Sequence, residues 1–239
     1  MCLACPPVTL DRRGLLAAGA ALFACAAIPS AQAQGTRPAP TPARPDTPDA
    51  ALRALVEGNA RYASNRPRTR DLSAGRAARA RGQAPFASIL GCADSRVAPE
   101  LAFDQNPGDL FVVRVAGNFV TPEGLGSLEF GSAVLGSKLI LVLGHTSCGA
   151  VDATVAALRQ GNNLPGSIAR LVTAMKPGIE PALAETGGDV TRRALVSNVR
   201  HNVRALETAT PILSDLVARG ALAVKGGIYD LATGRVELV

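Results

Sequence analysis

Two short stretches bring cysteine and histidine to metal-ligand spacing: Cys92-Ala93-Asp94-Ser95-Arg96 and, 53 positions after Cys92, His145-Thr146-Ser147-Cys148. The 239 residues contain five cysteines and two histidines. Cys2, Cys5 and Cys25 fall in an N-terminal segment with the character of an export leader, which leaves Cys92 and Cys148 as the thiols of the mature chain. Two thiolates and one imidazole make a three-ligand set for Zn2+, because soft sulfur with nitrogen disfavours magnesium and calcium. With no further cysteine to close it, the fourth position is left for water or substrate, the pattern of a catalytic site. Zinc lowers the pKa of its bound water to about 7 and so makes hydroxide available at neutral pH. Asp94 can accept the remaining proton and orient that hydroxide, while Arg96 forks onto Asp94 and keeps it ionised. Asp94 can instead take the fourth position itself and close the site, with Arg96 competing for it.

Such a site needs elements that bring two distant motifs to one point. Pro85–Gly91 is a short apolar run of strand length ending at Cys92, and Asp109–Val115 reads as a second strand. Lys138–Gly144 is apolar on both faces, as in a covered parallel strand, with His145 at its C-terminal end. Helical spacing appears over Ala50–Tyr62, from Thr121-Pro122 to about Leu135, and over Ala150–Gln160, Ser167–Met175, Arg192–Ala209 and Pro211–Arg219. Ala221–Ile228 and Arg235–Val239 read as closing strands. Strands alternating with helices predict an α/β fold with a mostly parallel central sheet flanked by helices. Ligands in such sheets gather beyond the carboxyl ends of the strands, where both motifs fall.

The N-terminus has the composition of a targeting segment. Asp11-Arg12-Arg13-Gly14 precedes an apolar run from Leu15 to Ile28, and Ala31-Gln32-Ala33 follows as a cleavage site, so residues 1–33 read as a signal peptide. The paired arginines and the mild apolar stretch point to twin-arginine export, although Asp11 and Leu15 depart from that pattern. An ordinary secretory leader and acylation at Cys25 are the alternatives. The run is too short to span a bilayer, which needs about 20 residues. Five prolines between Gln34 and Asp49 make residues 34–49 a linker, which leaves 50–239 as one domain. A periplasmic or secreted location follows from this reading.

The two motifs resemble those of the β-class carbonic anhydrases, and the likeness runs from about residue 50 to the C-terminus. The resemblance implies one zinc per chain held by Cys92, His145 and Cys148, a gating dyad of Asp94 and Arg96, and reversible hydration of CO2 to bicarbonate and a proton. It implies a homodimer, often paired further into a tetramer, with an N-terminal helix that embraces the partner and clefts at the interface. It also implies substrate-binding roles for Gln83 as an amide donor, Phe111 as an apolar wall and Gly149 as a backbone N–H facing the cleft. Phe130 stands where some members carry a cleft tyrosine, and Ile89 where the bicarbonate-regulated subset carries tryptophan.

Other functions are weighed by composition. A net charge of +6 without a basic, aromatic-interleaved stripe argues against a nucleic-acid partner. Hydrolysis of carbon disulfide or carbonyl sulfide would use the same zinc hydroxide. Zinc storage would need neither Asp94 nor Arg96. His201, between Arg200 and Asn202 and opposite the apolar stripe of its helix, reads as an exposed histidine.

Overall fold

The chain alternates strand and helix because its apolar residues switch repeatedly between a period of two and a period near 3.6. A computed structural model describes residues 44–162 and 164–239; the expected leader at 1–33 and residues 34–43 of the expected linker lie outside them. Helix α1 (Pro48–Ala63) opens on Thr47, whose side chain accepts from the Ala50 N–H at 3.2 Å. It therefore starts inside the stretch assigned to the linker. Pro48 sits at the first helical position, where its missing N–H costs nothing and its fixed φ suits the helix, so here proline opens the helix.

Five strands follow: β1 (Ala87–Gly91), β2 (Leu110–Arg114), β3 (Leu139–His145), β4 (Ala223–Tyr229) and β5 (Val236–Leu238). They form one sheet in the order β2-β1-β3-β4-β5. The first four are parallel and β5 runs antiparallel to β4. Every residue of β3 is buried. Leu139, Leu141 and Leu143 pack on one side with Ala51, Leu55 and Phe103; Ile140 and Val142 pack on the other with Val151, Met175, Leu195 and Val199. This division explains a strand that is apolar throughout. Full burial of each such side chain stabilises the fold by roughly 1.5–3 kcal/mol.

The flanking helices are α2 (Arg76–Arg79), α3 (Pro99–Ala102), α4 (Pro122–Glu129), α5 (Gly149–Gln160), α6 (Ile168–Leu183), α7 (Val190–Glu207) and α8 (Ile212–Ala218). None of them is long and apolar enough to cross a membrane. Three departures from the sequence expectation have physical causes. Helix α6 continues past Met175 through Pro177 and Pro181 to Leu183, because burial of Ile179 and Ala182 outweighs the hydrogen bonds that proline removes. The helix opened by Thr121 widens at Phe130–Val134 into a π-helical turn, which lays Gly131 against Ser88 and Phe111. Helices α2 and α3 are too short for any periodic signal.

Helix α7 lies unusually close to the sheet. A Cβ on Gly144 would stand 2.8 Å from Val199 and 2.9 Å from Leu195, and one on Gly226 would stand 2.7 Å from Val199. Two glycines facing the same helix therefore set its depth, and that depth matters at the site.

Candidate active site

Because β1 and β3 are adjacent and parallel, with Gly91 paired to Leu143, their carboxyl ends emerge side by side. Cys92 follows β1 directly, and His145 is the last residue of β3. Between His145 and Cys148 the chain turns tightly, with Ser147 in the left-handed region at φ 54°. That conformation is rare for a residue with a side chain, and it persists here because the turn must return Cys148 to the histidine. Cys148 is then the N-cap of α5.

The three candidate ligand atoms lie within 4.8 Å of one another, and all three residues are buried. The sulfurs of Cys92 and Cys148 are 3.9 Å apart. Two Zn–S bonds of ~2.3 Å at a near-tetrahedral angle place sulfurs ~3.8 Å apart, so the pair is spaced for one ion. His145 Nδ1 donates to the Thr146 carbonyl at 2.9 Å, which fixes the tautomer and leaves Nε2 as the lone pair. Nε2 is buried without a hydrogen-bond partner. A buried, unpartnered ring nitrogen facing two thiols is what a missing cation would explain. The residues fit zinc.

Asp94 and Arg96 form a two-pronged ion pair beside this set. Arg96 Nε meets Asp94 Oδ1 at 2.9 Å, one terminal nitrogen meets Oδ2 at 2.7 Å, and the Arg96 backbone N–H adds a bond of 2.9 Å. The same guanidinium reaches the Ser147 carbonyl at 3.1 Å, so it ties the first motif to the second. Asp94 Oδ2 lies 3.8 Å from His145 Nε2. Here the carboxylate belongs to the arginine and sits at the edge of the ligand set.

Electrostatics follow from these contacts. The Arg96 hydrogen bonds hold Asp94 well below the usual carboxylate range. Without a metal the two sulfurs divide unevenly. Cys92 falls to about 4, first through the Cys148 S–H and then through His145 and the Gly117 N–H. Cys148 is pushed up by the neighbouring Cys92 sulfur and by burial. Burial alone would lower His145, yet Cys92, the Thr146 carbonyl and Asp94 together raise it.

Other anticipated residues fall in different places. Gly149 is exposed at the first turn of α5, next to Cys148, with open space where a Cβ would stand. Phe111 does not wall the zinc site of its own chain. It pairs with Ser88, four residues before Cys92 along β1, or roughly 13 Å at 3.3 Å per residue, and it packs against Phe130 at 6.5 Å between ring centroids. Gln83 is exposed on the segment before β1, at the opposite end of that strand from Cys92. Ile89 is a buried core residue. His201 is half-buried instead of exposed, because its Cβ lies beside Gly178 of α6, and that burial lowers its pKa.

The sequence reading passed over Arg114, whose guanidinium holds the backbone of the first motif through the Cys92 carbonyl at 2.8 Å and the Asp94 carbonyl at 2.6 Å. It took Gly117 only as a turn, yet the Gly117 N–H donates to Cys92 Sγ at 3.3 Å. Nothing in the spacing of either residue announces this, since both contacts span more than 20 positions.

Two thiols and an imidazole spaced for one zinc, beside a carboxylate locked by arginine, form the donor set of a zinc lyase or hydrolase, in which the metal would activate a water. A sequence profile described as carbonic anhydrase matches residues 87–236, and the chain belongs to that family, in its β class. It is similar to carbonic anhydrase 2 of Mycobacterium tuberculosis (strain CDC 1551 / Oshkosh), 43% identical over 195 residues that cover 80% of this chain and 92% of the relative. Among solved structures it resembles the β-carbonic anhydrase of Coccomyxa in complex with acetazolamide, at TM-score 0.62 and 30% identity over 70% of this chain and 77% of that one. A tetrameric β-carbonic anhydrase of Sordaria macrospora matches at TM-score 0.60 and 27% identity over 69% of this chain and 86% of that one. The family catalyses zinc-dependent hydration of CO2, so the protein is a lyase with zinc as its cofactor.

Proposed function

We propose that this chain hydrates CO2 reversibly with Cys92, His145 and Cys148 as zinc ligands and Asp94 as the group that orients the reacting water. The observation that carries the assignment of roles is the position of Asp94 Oδ2, 3.8 Å from His145 Nε2 while both carboxylate oxygens are clasped by Arg96. Zinc, when bound, supplies the Lewis acidity that brings a water into its reactive form near neutral pH. Asp94 stays ionised because of Arg96 and accepts a hydrogen bond at Oδ2, which aims the opposite lone pair at the substrate. The backbone N–H of Gly149, at the positive end of α5, faces the developing negative charge of bicarbonate. His145 is held by its Nδ1–H bond and cannot rotate away from the ion.

The working unit we propose is a homodimer. Gln83 and Phe111 lie away from the zinc ligands of their own chain, and with the exposed Phe130 they are free to serve the cleft of a second copy. Val56, Leu101 and Val134 are exposed apolar side chains that a partner would cover. Export by the twin-arginine route to the periplasm completes the reading, with zinc loaded before transport.

Stopped-flow CO2 hydration by the zinc-loaded protein tests the core of this. Wild type should be active, while Asp94→Ala keeps its zinc and loses about 100-fold or more in turnover. One zinc per chain with no hydration would overturn the assignment. Sedimentation should give at least two chains per particle, and lysines at Arg12 and Arg13 should trap the precursor inside the cell; a monomer, or normal export, defeats the corresponding part.

A further inference from the structure

We propose that Asn198 is a positioning residue for the Cys92 thiolate, acting from α7 through the backbone of Gly117; this rests on the zinc assignment above. The Gly117 N–H donates to Cys92 Sγ at 3.3 Å, and the Asp94 N–H also faces that sulfur. A hydrogen bond to a thiolate withdraws electron density from sulfur, and so moderates how much charge that sulfur donates to its metal. Two thiolate ligands put that charge in excess at this site, and the bond works against the excess.

The loop that carries the donor closes one turn of its own, from the Asn118 N–H to the Val115 carbonyl at 2.9 Å. Gly117 has φ +90° and Asn118 has φ +44°, two successive residues in the left-handed region. A side chain at 117 is also barred, since a Cβ would stand 2.2 Å from Met175 Sδ. The loop is fastened from α7. Asn198 Nδ2 donates to the Gly117 carbonyl at 2.9 Å, and Asn202 Oδ1 accepts from the Val120 N–H at 2.8 Å. Asn202 Nδ2 in turn donates to the Asn198 backbone carbonyl at 2.8 Å and to Asn198 Oδ1 at 3.3 Å, and the second bond joins the two side-chain amides.

This arrangement is costly to build. Asn198 is 0% exposed and Asn202 3% exposed, in a helix whose other inward positions are Leu195, Val199 and Leu206. A buried amide is unfavourable unless its bonds are made, so apolar residues would serve packing alone better. The approach that makes the bonds reachable is also specific. Gly144 and Gly226 let α7 sink onto the sheet, and Gly178 of α6 leaves room beside Asn198, whose Cα would be 3.2 Å from a Cβ there. Three glycines from three elements converge on the depth at which Asn198 meets Gly117. The carbonyl that Asn198 holds and the N–H that points at sulfur lie on adjacent peptide planes sharing the Gly117 Cα, so the bond to the carbonyl restricts the torsions through which the N–H could leave the sulfur.

Cobalt replacement reads the sulfur directly. In Asn198→Asp, which keeps the shape but loses the Nδ2 donor, and in Asn198→Ala, the Gly117 N–H should drift from Cys92. The thiolate-to-cobalt charge-transfer band should then move to lower energy, and turnover in the zinc form should fall about tenfold with KM little changed. A band at the wild-type energy in both variants, with one cobalt bound per chain, would overturn the proposal. Should neither variant fold, the milder Asn198→Ser, loaded with 113Cd and compared with wild type, keeps the proposal testable. A scalar coupling between the metal and the Gly117 amide proton, carried through Sγ, is expected in wild type and should weaken in the variant; its absence from wild type, or an undiminished coupling in the variant, refutes the proposal. Both readouts are independent of CO2 hydration, so a protein that shows the band shift or the weakened coupling on substitution, without hydration in wild type, would refute the function and spare the positioning role.

Discussion

Cys148→Ser removes one of the two sulfurs that stand 3.9 Å apart at the candidate zinc site. With Zn–S bonds of ~2.3 Å, that separation corresponds to an S–Zn–S angle of about 116°, close to tetrahedral, so each sulfur can bond fully without moving its neighbour. Structural zinc in four-ligand sites is bound with roughly 10–16 kcal/mol, which shares out at ~2.5–4 kcal/mol per ligand. Serine at neutral pH supplies no comparable anion, so affinity should fall by about two to three powers of ten. Competition against a chelating dye at fixed pH measures the loss. X-ray absorption at the zinc edge measures its cause, with two sulfurs near ~2.3 Å in wild type and one in the variant. The fold should survive, since the exchange changes one atom at the N-cap of α5. Zinc affinity within about threefold of wild type, or an unchanged sulfur count, would refute the geometry on which the site is built.

Three further outcomes follow from the same contacts. Leu141, 1% exposed at the centre of β3, should cost ~2–5 kcal/mol of stability on replacement with alanine, read from urea denaturation; a loss under 1 kcal/mol would mean that β3 is not the core strand. Arg96 depresses the folded pKa of Asp94, so the stabilisation it gives is present above the unfolded carboxylate value of about 3.9 and disappears as pH falls through the folded value. Wild type should therefore exceed Arg96→Met in stability at pH 7, and a gap equally large in strong acid would count against the ion pair. In the metal-free protein at pH 7, ultraviolet absorbance should show one thiolate, that of Cys92 with its pKa lowered to about 4, while Cys148 stays protonated; zero or two thiolates would show the sulfur pair wrongly described.

Much of the site was legible before any coordinates, because a chain poor in cysteine and histidine leaves few ways to bind a metal. Cys92, His145, Cys148, Asp94 and Arg96 are conspicuous by type and spacing, and the apolar runs before Cys92 and His145 put both at strand ends. The supporting shell was not legible. Arg114, Gly117 and Asn198 act through backbone atoms far away in sequence, and a hydrogen bond to a carbonyl or from an amide leaves no residue-type signature at the other end. Two helix bounds differ from the sequence expectation at places where proline stands. Pro48 follows a cap and starts α1, and Pro177 lies in α6, which buried Ile179 and Ala182 carry onward.

By itself the sequence determined the ligand set, the alternation of strand and helix, and the side of the sheet where chemistry would gather. These are properties of residue type and local period. Tertiary structure alone decided that Asp94 is held by Arg96 and not placed among the ligands, and that Phe111 and Gln83 lie away from the zinc of their own chain. It also set the depth of α7 that brings Asn198 to Gly117. Each of these depends on how far apart two elements settle when their side chains pack, and that distance is a sum over many contacts that no single stretch of sequence contains.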